Sequence, residues 1–255
     1  MQAAIDAAEA AGGGIVRLNG TYAIEYTGDI SKVGPYDLSY GLWLNGSNIT
    51  VDGGGTLVTL AEPSTTYGYC MFLIGNGGFD EDQDGEQSFA ELEETGTWTT
   101  GVIVRNLTFD NDALDNTALE NMGDGVVIGG VLVTAYVKDS LFENLTISKA
   151  WSHGGLVSHC SSVENVWKDC TITLAYGTGM HLDGAEDTLI DGLTLGALVD
   201  QDTGTGITFA TNTDYLHGAG DNTVQNCDIS GCYIGIAMGA FEVINTMSFI
   251  LDNTI

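Results

Sequence analysis

Val104-Arg-Asn-Leu-Thr-Phe109 recurs as Phe142-Glu-Asn-Leu-Thr-Ile147, Trp167-Lys-Asp-Cys-Thr-Ile172, Ile190-Asp-Gly-Leu-Thr-Leu195 and Val224-Gln-Asn-Cys-Asp-Ile229. A shorter phrase follows each copy: Gly125-Val-Val-Ile128, Gly155-Leu-Val-Ser158, Gly179-Met-His-Leu182, Gly206-Ile-Thr-Phe209 and Gly235-Ile-Ala-Met238. Successive copies of the shorter phrase lie 30, 24, 27 and 29 residues apart. A period drifting through the twenties, with two phrases in fixed order, marks a solenoid whose repeats stack on their neighbours.

Side-chain alternation assigns faces. In the first phrase, positions one, four and six are apolar in nearly every copy, as in Val104, Leu107 and Phe109. Position two (Arg105, Glu143, Lys168, Asp191, Gln225) must face water. Position three is Asn106, Asn144, Asp169, Gly192 or Asn226, residue types that tolerate turn backbone. Stacked asparagines there can bond along the ladder. In the second phrase Val126, Leu156, Met180, Ile207 and Ile236 point inward, with Ile128, Leu182, Phe209 and Met238. Period two then places Val127, Val157, His181, Thr208 and Ala237 outside. Two short strands per turn, with gaps mostly too short for crossover helices, favour parallel strands without helices between them.

Upstream, the alanine-rich Met1–Ala11 reads as a short helix stopped by Gly12-Gly-Gly14. Two strands follow, Ile15-Val-Arg-Leu18 and Thr21-Tyr-Ala-Ile24, across an Asn-Gly turn. A solenoid needs its first coil covered, and residues 1–14 are placed to do that. Residues 25–46 read as loop with strand fragments. Asn48-Ile-Thr-Val51 with Asp52-Gly-Gly-Gly55 is a degenerate first phrase, Thr56–Leu60 continues as strand, and Met71-Phe-Leu-Ile74 is another strand. The pattern breaks over residues 75–100.

Six basic residues against 35 acidic ones give a formal charge of −29. So few cations argue against nucleic acid and against an anionic membrane surface. The imbalance suits high-salt or secreted, calcium-rich settings. Of the five cysteines, Cys170 and Cys227 hold the same repeat position two coils apart, about 9–10 Å on strand spacing, beyond disulfide reach. They read as small core residues. The longest uncharged apolar run is too short to span a bilayer. Any export signal is expected upstream of this sequence.

The opening Ala3–Ile24 resembles the capping segment of the pectin-lyase-like superfamily of right-handed parallel β-helices. The later repeats, such as Asp221-Asn-Thr-Val-Gln-Asn-Cys-Asp-Ile-Ser-Gly-Cys-Tyr-Ile-Gly-Ile236, are similar to its generic β-helix repeat. The resemblance implies an all-β, right-handed parallel β-helix with a short N-terminal capping helix, one domain over residues 1–255. It also implies a glycan partner, because the superfamily includes polysaccharide lyases, epimerases, hydrolases and phage tailspikes. Fold alone does not choose among them.

Two clusters carry chemistry. Asp80-Glu-Asp-Gln-Asp-Gly-Glu-Gln-Ser-Phe-Ala-Glu91 matches the twelve-residue calcium loop. Asp80, Asp82 and Asp84 supply carboxylates, Gly85 the turn, Glu86 its carbonyl and Glu91 a bidentate carboxylate. Position eight is Gln87 where an aliphatic residue is usual, and no ordinary helix precedes the loop. The competing reading is a solvated acidic loop. Asp110, Asp112 and Asp115 form a weaker second candidate.

The other cluster follows from the repeat register. His181 is the outward middle residue of its strand and Asp183, two further on, shares its face. His159 occupies the equivalent place one coil earlier. His153 and Asp124 fall at the margin. A histidine with a carboxylate neighbour can take a proton from C5 of a uronic acid, with Tyr176 as acid toward the leaving oxygen. The substrate carboxylate must also be neutralised, and only Lys149 and Lys168 lie close in sequence, Lys168 on another face. His159, His181 and Asp183 could alternatively hold a metal, or the histidines could simply decorate the surface. Tyr176-Gly-Thr-Gly-Met-His181 faintly resembles a segment of alginate epimerases but lacks the Asp-Pro expected before the histidine, so no role transfers. The adjacent Asp-Asp pair of the hydrolases is missing too. Trp151, Tyr176, Tyr215 and Tyr233 are candidates for stacking on sugar rings.

The expected function is action on an extracellular acidic polysaccharide by elimination, epimerisation or hydrolysis. The alternative is a non-catalytic glycan-binding or structural module, such as a tailspike or adhesin segment. The expected setting is extracellular, or a virion or cell surface. Phe249–Ile255 reads as an uncapped strand, leaving open further β-helix, a truncation or a homotrimer partner.

Overall fold

The first phrase is a strand in every copy, and the copies stack in the register that the sequence pattern requires. Val104 pairs with Phe142, Phe142 with Trp167, Trp167 with Ile190 and Ile190 with Val224. The computed structural model describes residues 1–25, 30–33, 36–60, 68–75, 98–110, 128–148, 155–159, 162–175, 177–196, 198, 204–211, 220–240 and 251–254. Three parallel ladders run through them.

The first sheet stacks Gly14–Arg17, Ile49–Leu60, Ile103–Asp110, Leu141–Ser148, Val166–Lys168, Leu189–Asp191 and Thr223–Ile229 in that order. Thr171–Ile172 and Thr194–Leu195 complete the phrases interrupted at position three. The second sheet stacks Tyr36–Leu44, Gly68–Gly75, Ile128–Ala135, Leu156–His159, Thr178–Asp183, Thr205–Thr211 and Ile234–Ala240, with Ile30–Val33 antiparallel at its start. A narrow third ladder joins Thr99–Thr100 to Val137–Lys138 and continues through bridges from Lys138 to Val163 and from Val163 to Glu186. The chain is therefore all-β with parallel sheets and a single helix among the described residues, Gln2–Ala10.

Apolar positions one, four and six fill one continuous core. Phe109, Phe142 and Trp167 are among its largest buried side chains, and Phe142 stacks on Trp167 at 4.2 Å between ring centroids. The helix belongs to this core through Ile5, which is fully buried. Its polar side chains fasten it: Gln2 donates to the Trp43 carbonyl at 2.7 Å and accepts from the Trp43 N–H at 2.9 Å. Glu9 accepts from the Asn45 and Gly46 N–H groups.

Position three is where each strand breaks. Asn106, Asn144, Asp169 and Asn226 all have φ between 50° and 57°, and Gly192 has 78°. That left-handed backbone costs most L-residues energy, and Asn, Asp and Gly least. The asparagines also bond from coil to coil. Asn144 donates to Asn106 at 2.7 Å, Asn106 to Asp52 at 2.9 Å and Asn226 to Asp191 at 2.8 Å. Beside this ladder, position two alternates in sign along the paired residues Arg17, Asp52, Arg105, Glu143, Lys168 and Asp191. Arg105 bridges Asp52 at 3.0 Å and Glu143 at 3.6 Å. Three of the chain's six basic residues are thus in one column.

The glycine that opens the second phrase marks a corner without room for a side chain. A Cβ on Gly179 would lie 2.7 Å from the Gly206 carbonyl oxygen and 2.9 Å from Leu195.

Several readings change. The first copy of the second phrase is not Gly125–Ile128, because Leu132 and Val133 pair with Leu156 and Val157. Ile128 pairs instead with Gly68. Apolar runs on either side of Gly129-Gly130 made two frames equally good in sequence. Tyr36–Leu44 is a full strand, not loop; Leu42 and Leu44 enter the core, while Tyr40 and Trp43 pack on the outward side, so no single period runs through Gly41. Met238, expected inside, is 54% exposed, since among the described residues no strand stacks on Ile234–Ala240 from the far side. Leu251–Thr254 pairs with Thr223–Ile229 in the first sheet.

A buried polar ladder was missed altogether. Ser140, Asn165, Thr188 and Asn222 precede successive first phrases and are all buried. Asn165 takes the Ser140 N–H at 3.0 Å and donates to the Val137 carbonyl at 2.8 Å. Asn222 treats Thr188 and Ala185 the same way one step on. Backbone groups at this turn have no strand partner, and the side chains satisfy them. Cys170 and Cys227 are free and buried, as their register requires; burial pushes the Cys170 thiol up to about 12.

Candidate functional site

His181 lies on the outward face of the second sheet because its neighbours Met180 and Leu182 are both in the core. The register defines the row to which it belongs. Trp43, Leu73, Val133, Val157, His181, Thr208 and Ala237 are successive partners from coil to coil. Two residues further along the strands runs a parallel row, Gly75, Ala135 and His159, then Asp183, Ala210 and Gly239. His159 follows Ser158, the partner of Leu182, so it stands opposite Asp183, at about 4.8 Å between neighbouring strands.

These rows are not uniformly open. Leu73, Val133 and Val157 are fully buried, and with Cys70, Ala135 and Tyr136 they form a second apolar cluster, packed by Tyr40, Trp43 and Trp98. The expectation that Val157 lies outside is right about direction and wrong about exposure. Its strand neighbours read Cys70-Met-Phe-Leu-Ile74 and Val131-Leu-Val-Thr-Ala135, apolar on both sides, which is the pattern of strands covered on both faces. The cover ends at the next coil: His181 and Thr208 are half-buried. His181 therefore sits at the step between a covered apolar surface and an open one. Asp183, beside it on the same face, is 7% exposed. A largely buried carboxylate two residues from a half-exposed imidazole can orient that ring.

Lys168 is exposed in the position-two column of the first sheet, between Glu143 and Asp191, and Lys138 pairs with Glu164 at 3.4 Å. Neither cation is on the histidine's face. In the first-sheet column, hydrogen bonds from Asn106, the Gly54 N–H and Arg105 hold the Asp52 carboxyl below the usual carboxylate range. Those from Asn226 and Gln225, together with Lys168, do the same for Asp191.

His153, Asp124, Tyr176, Trp151, Tyr215 and Lys149 lie outside the described residues, as does the whole loop Asp80–Glu91, with Asp82, Asp84 and Glu86, and so do Asp112 and Asp115. The shift of register at Gly125–Ile128 removes the reason for placing Asp124 beside His153. Among the described residues no three His, Cys, Asp or Glu are grouped to hold a metal ion. No described helix is long and apolar enough to cross a membrane.

The architecture is a parallel β-helix, with parallel strands stacked coil on coil. No protein-family model matches the sequence and no curated protein matches it. Among solved structures, the A-module of mannuronan C-5 epimerase AlgE6 from Azotobacter vinelandii aligns over 99% of this chain and 70% of its own, with 16% identity and a TM-score of 0.55. The AlgE4 A-module from the same organism is similar over 94% of this chain and 69% of its own, at 21% identity and a TM-score of 0.34. A Parabacteroides merdae protein described as a glycosyl hydrolase covers 97% and 90%, at 11% identity and a TM-score of 0.39. At these identities the likeness concerns the fold, and only the first is close enough to weigh.

Proposed function

We propose that this chain is a right-handed β-helix, closed at its start by the Gln2–Ala10 helix, that acts on an acidic polysaccharide at the face bearing His181. The observation that carries the reading is the step in cover at His181, with Asp183 beside it and His159 opposite Asp183. Elimination and epimerisation of a uronic acid both begin with removal of the C5 proton. His181 takes that proton and Asp183 holds the imidazole in place and stabilises its charge. Tyr176 serves as acid toward the leaving oxygen in elimination, and His153 remains a candidate at the margin. Hydrolysis by two carboxylates is less well supported, because Asp183 is the sole carboxylate in the two outward rows of described residues.

The test is a screen of uronic-acid and capsular polysaccharides for unsaturated products, and for deuterium uptake at C5 in heavy water. His181→Ala should abolish whichever turnover is found. Unchanged turnover in that variant would remove His181 from the mechanism.

A second reading, a non-catalytic glycan-binding or shaft module, draws on one observation: no cation among the described residues lies in the outward rows to neutralise a uronate. Binding without product would favour it. Calcium at Asp80, Asp82, Asp84, Glu86 and Glu91 belongs to either reading as a structural ion, on the donor set alone. So does an extracellular, virion or cell-surface setting, which the acidic composition suits. A homotrimer or further coils also fit both.

A further inference from the structure

Large apolar side chains are rarely left open on a solenoid whose core is otherwise closed. Among the described residues four exceptions stand out, and three lie within one short segment: Tyr233 at 69% exposure, Ile234 at 40% and Met238 at 54%. Met238 belongs to the inward row, as the partner of Phe209. Ile234 does not. Its partners one and two coils earlier are Thr205 and Thr178, and the glycine after each aims inward, since a Cβ on Gly179 would run into Leu195 and one on Gly206 into Ile229. Ile234 therefore ends a third outward row, and Tyr233 is at the corner immediately before it, its N–H bonded to the Gly204 carbonyl at 2.9 Å.

The ground between this patch and His181 is uniform. Thr178, Thr205 and Thr208 are half-buried, and among the described residues their hydroxyls make no hydrogen bond. Ala210, Ala237 and Gly239 complete the area, so among the described residues no charged side chain interrupts it. Open hydroxyls ending at an exposed phenol ring and an aliphatic side chain suit a sugar, whose ring faces are apolar and whose edges bond.

We infer that Tyr233 and Ile234 form a stacking platform for a polysaccharide that runs from His181 toward the last described coils, with Thr178, Thr205 and Thr208 bonding its hydroxyls along the way. This rests on the proposed function, since it takes His181 as the reacting end. From strand spacing and residue rise, two coils and three residues separate His181 from Ile234, about 14 Å. That span requires an oligosaccharide of several sugars, so the platform contributes only to longer chains.

The experiment is calorimetric titration of the full chain with polymannuronate, polyguluronate and polygalacturonate oligomers, trimers against octamers. The wild type should bind octamers at least about tenfold more tightly than trimers, a gain of about 1.4 kcal/mol. Tyr233→Ala and Ile234→Ser should each lose most of that gain while trimer affinity stays level, and Tyr233→Phe, which keeps the ring, should retain it. Octamer binding that survives both substitutions overturns the platform and leaves the His181 reading standing. Substitutions that change only the oligomeric state in solution scattering overturn it in favour of a self-association patch. A wild type that binds none of the oligomers overturns platform and functional reading together.

Discussion

Asn106 tests whether the position-three ladder holds the coils in register. It carries three separable contributions: a left-handed backbone at φ 57°, a bond donated to the Asp52 carboxylate at 2.9 Å and one accepted from Asn144 at 2.7 Å. An alanine there retains the backbone without the side chain that tolerates it, at about 1–2 kcal/mol. A hydrogen bond to a charged acceptor contributes about 1.5–3 kcal/mol and a neutral one about 0.5–1.5, both reduced here because water reaches the column. Asn106→Ala should therefore cost about 2–4 kcal/mol. Asn106→Gly removes the same bonds but adopts the backbone freely, so it should cost roughly 1 kcal/mol less. Urea unfolding followed by circular dichroism, with coincident near- and far-ultraviolet transitions as the check on two-state behaviour, gives both values. If glycine and alanine destabilise equally, the backbone argument fails. If both stay below about 0.5 kcal/mol, the ladder is ornamental.

Two further expectations follow from the charges and from the acidic loop. Asp52 and Asp191 both have depressed carboxyl pKa values in the folded chain, so the unfolded state takes up protons first. Their stabilisation is present above the unfolded value of about 3.9 and is lost as pH falls through the lower folded values. Relief of the −29 self-repulsion acts oppositely on the way down from neutrality. Unfolding free energy against pH should rise from pH 7 toward 5 and fall below about 4. Asp52→Asn should flatten the acid limb, and an unchanged limb would contradict the assignment. Calcium removal by chelation should lower the melting temperature by several degrees, for a loss of about 1–2 kcal/mol, and Asp82→Asn with Asp84→Asn should mimic it. A melting temperature indifferent to chelator would exclude a structural ion.

Coils, their two phrases and the identity of the core positions were legible in the chain because each is a local pattern repeated five times. Averaging over copies defeats the ambiguity of any one. Where a copy was unique or flanked by glycine and further apolar residues, as at Gly125–Ile128 and Tyr36–Leu44, the pattern gave two frames or none, and the structure chose. The Ser140–Asn165–Thr188–Asn222 ladder escaped notice because three different residue types do one job, which is visible only when the backbone groups they satisfy are known.

The outward direction of His181 and Asp183 was also written in the sequence, since a period of two assigns faces without reference to any other strand. How open that face is was not. Exposure depends on what packs above a residue, and that comes from chain distant in sequence. Only the tertiary structure distinguished Val157, outward and fully buried, from His181, outward and half-open one coil later. Only the tertiary structure, likewise, set Ile234 in line with Thr205 and Thr178 and not in the core, because a corner at each phrase-opening glycine resets the alternation that the sequence alone would have carried straight through.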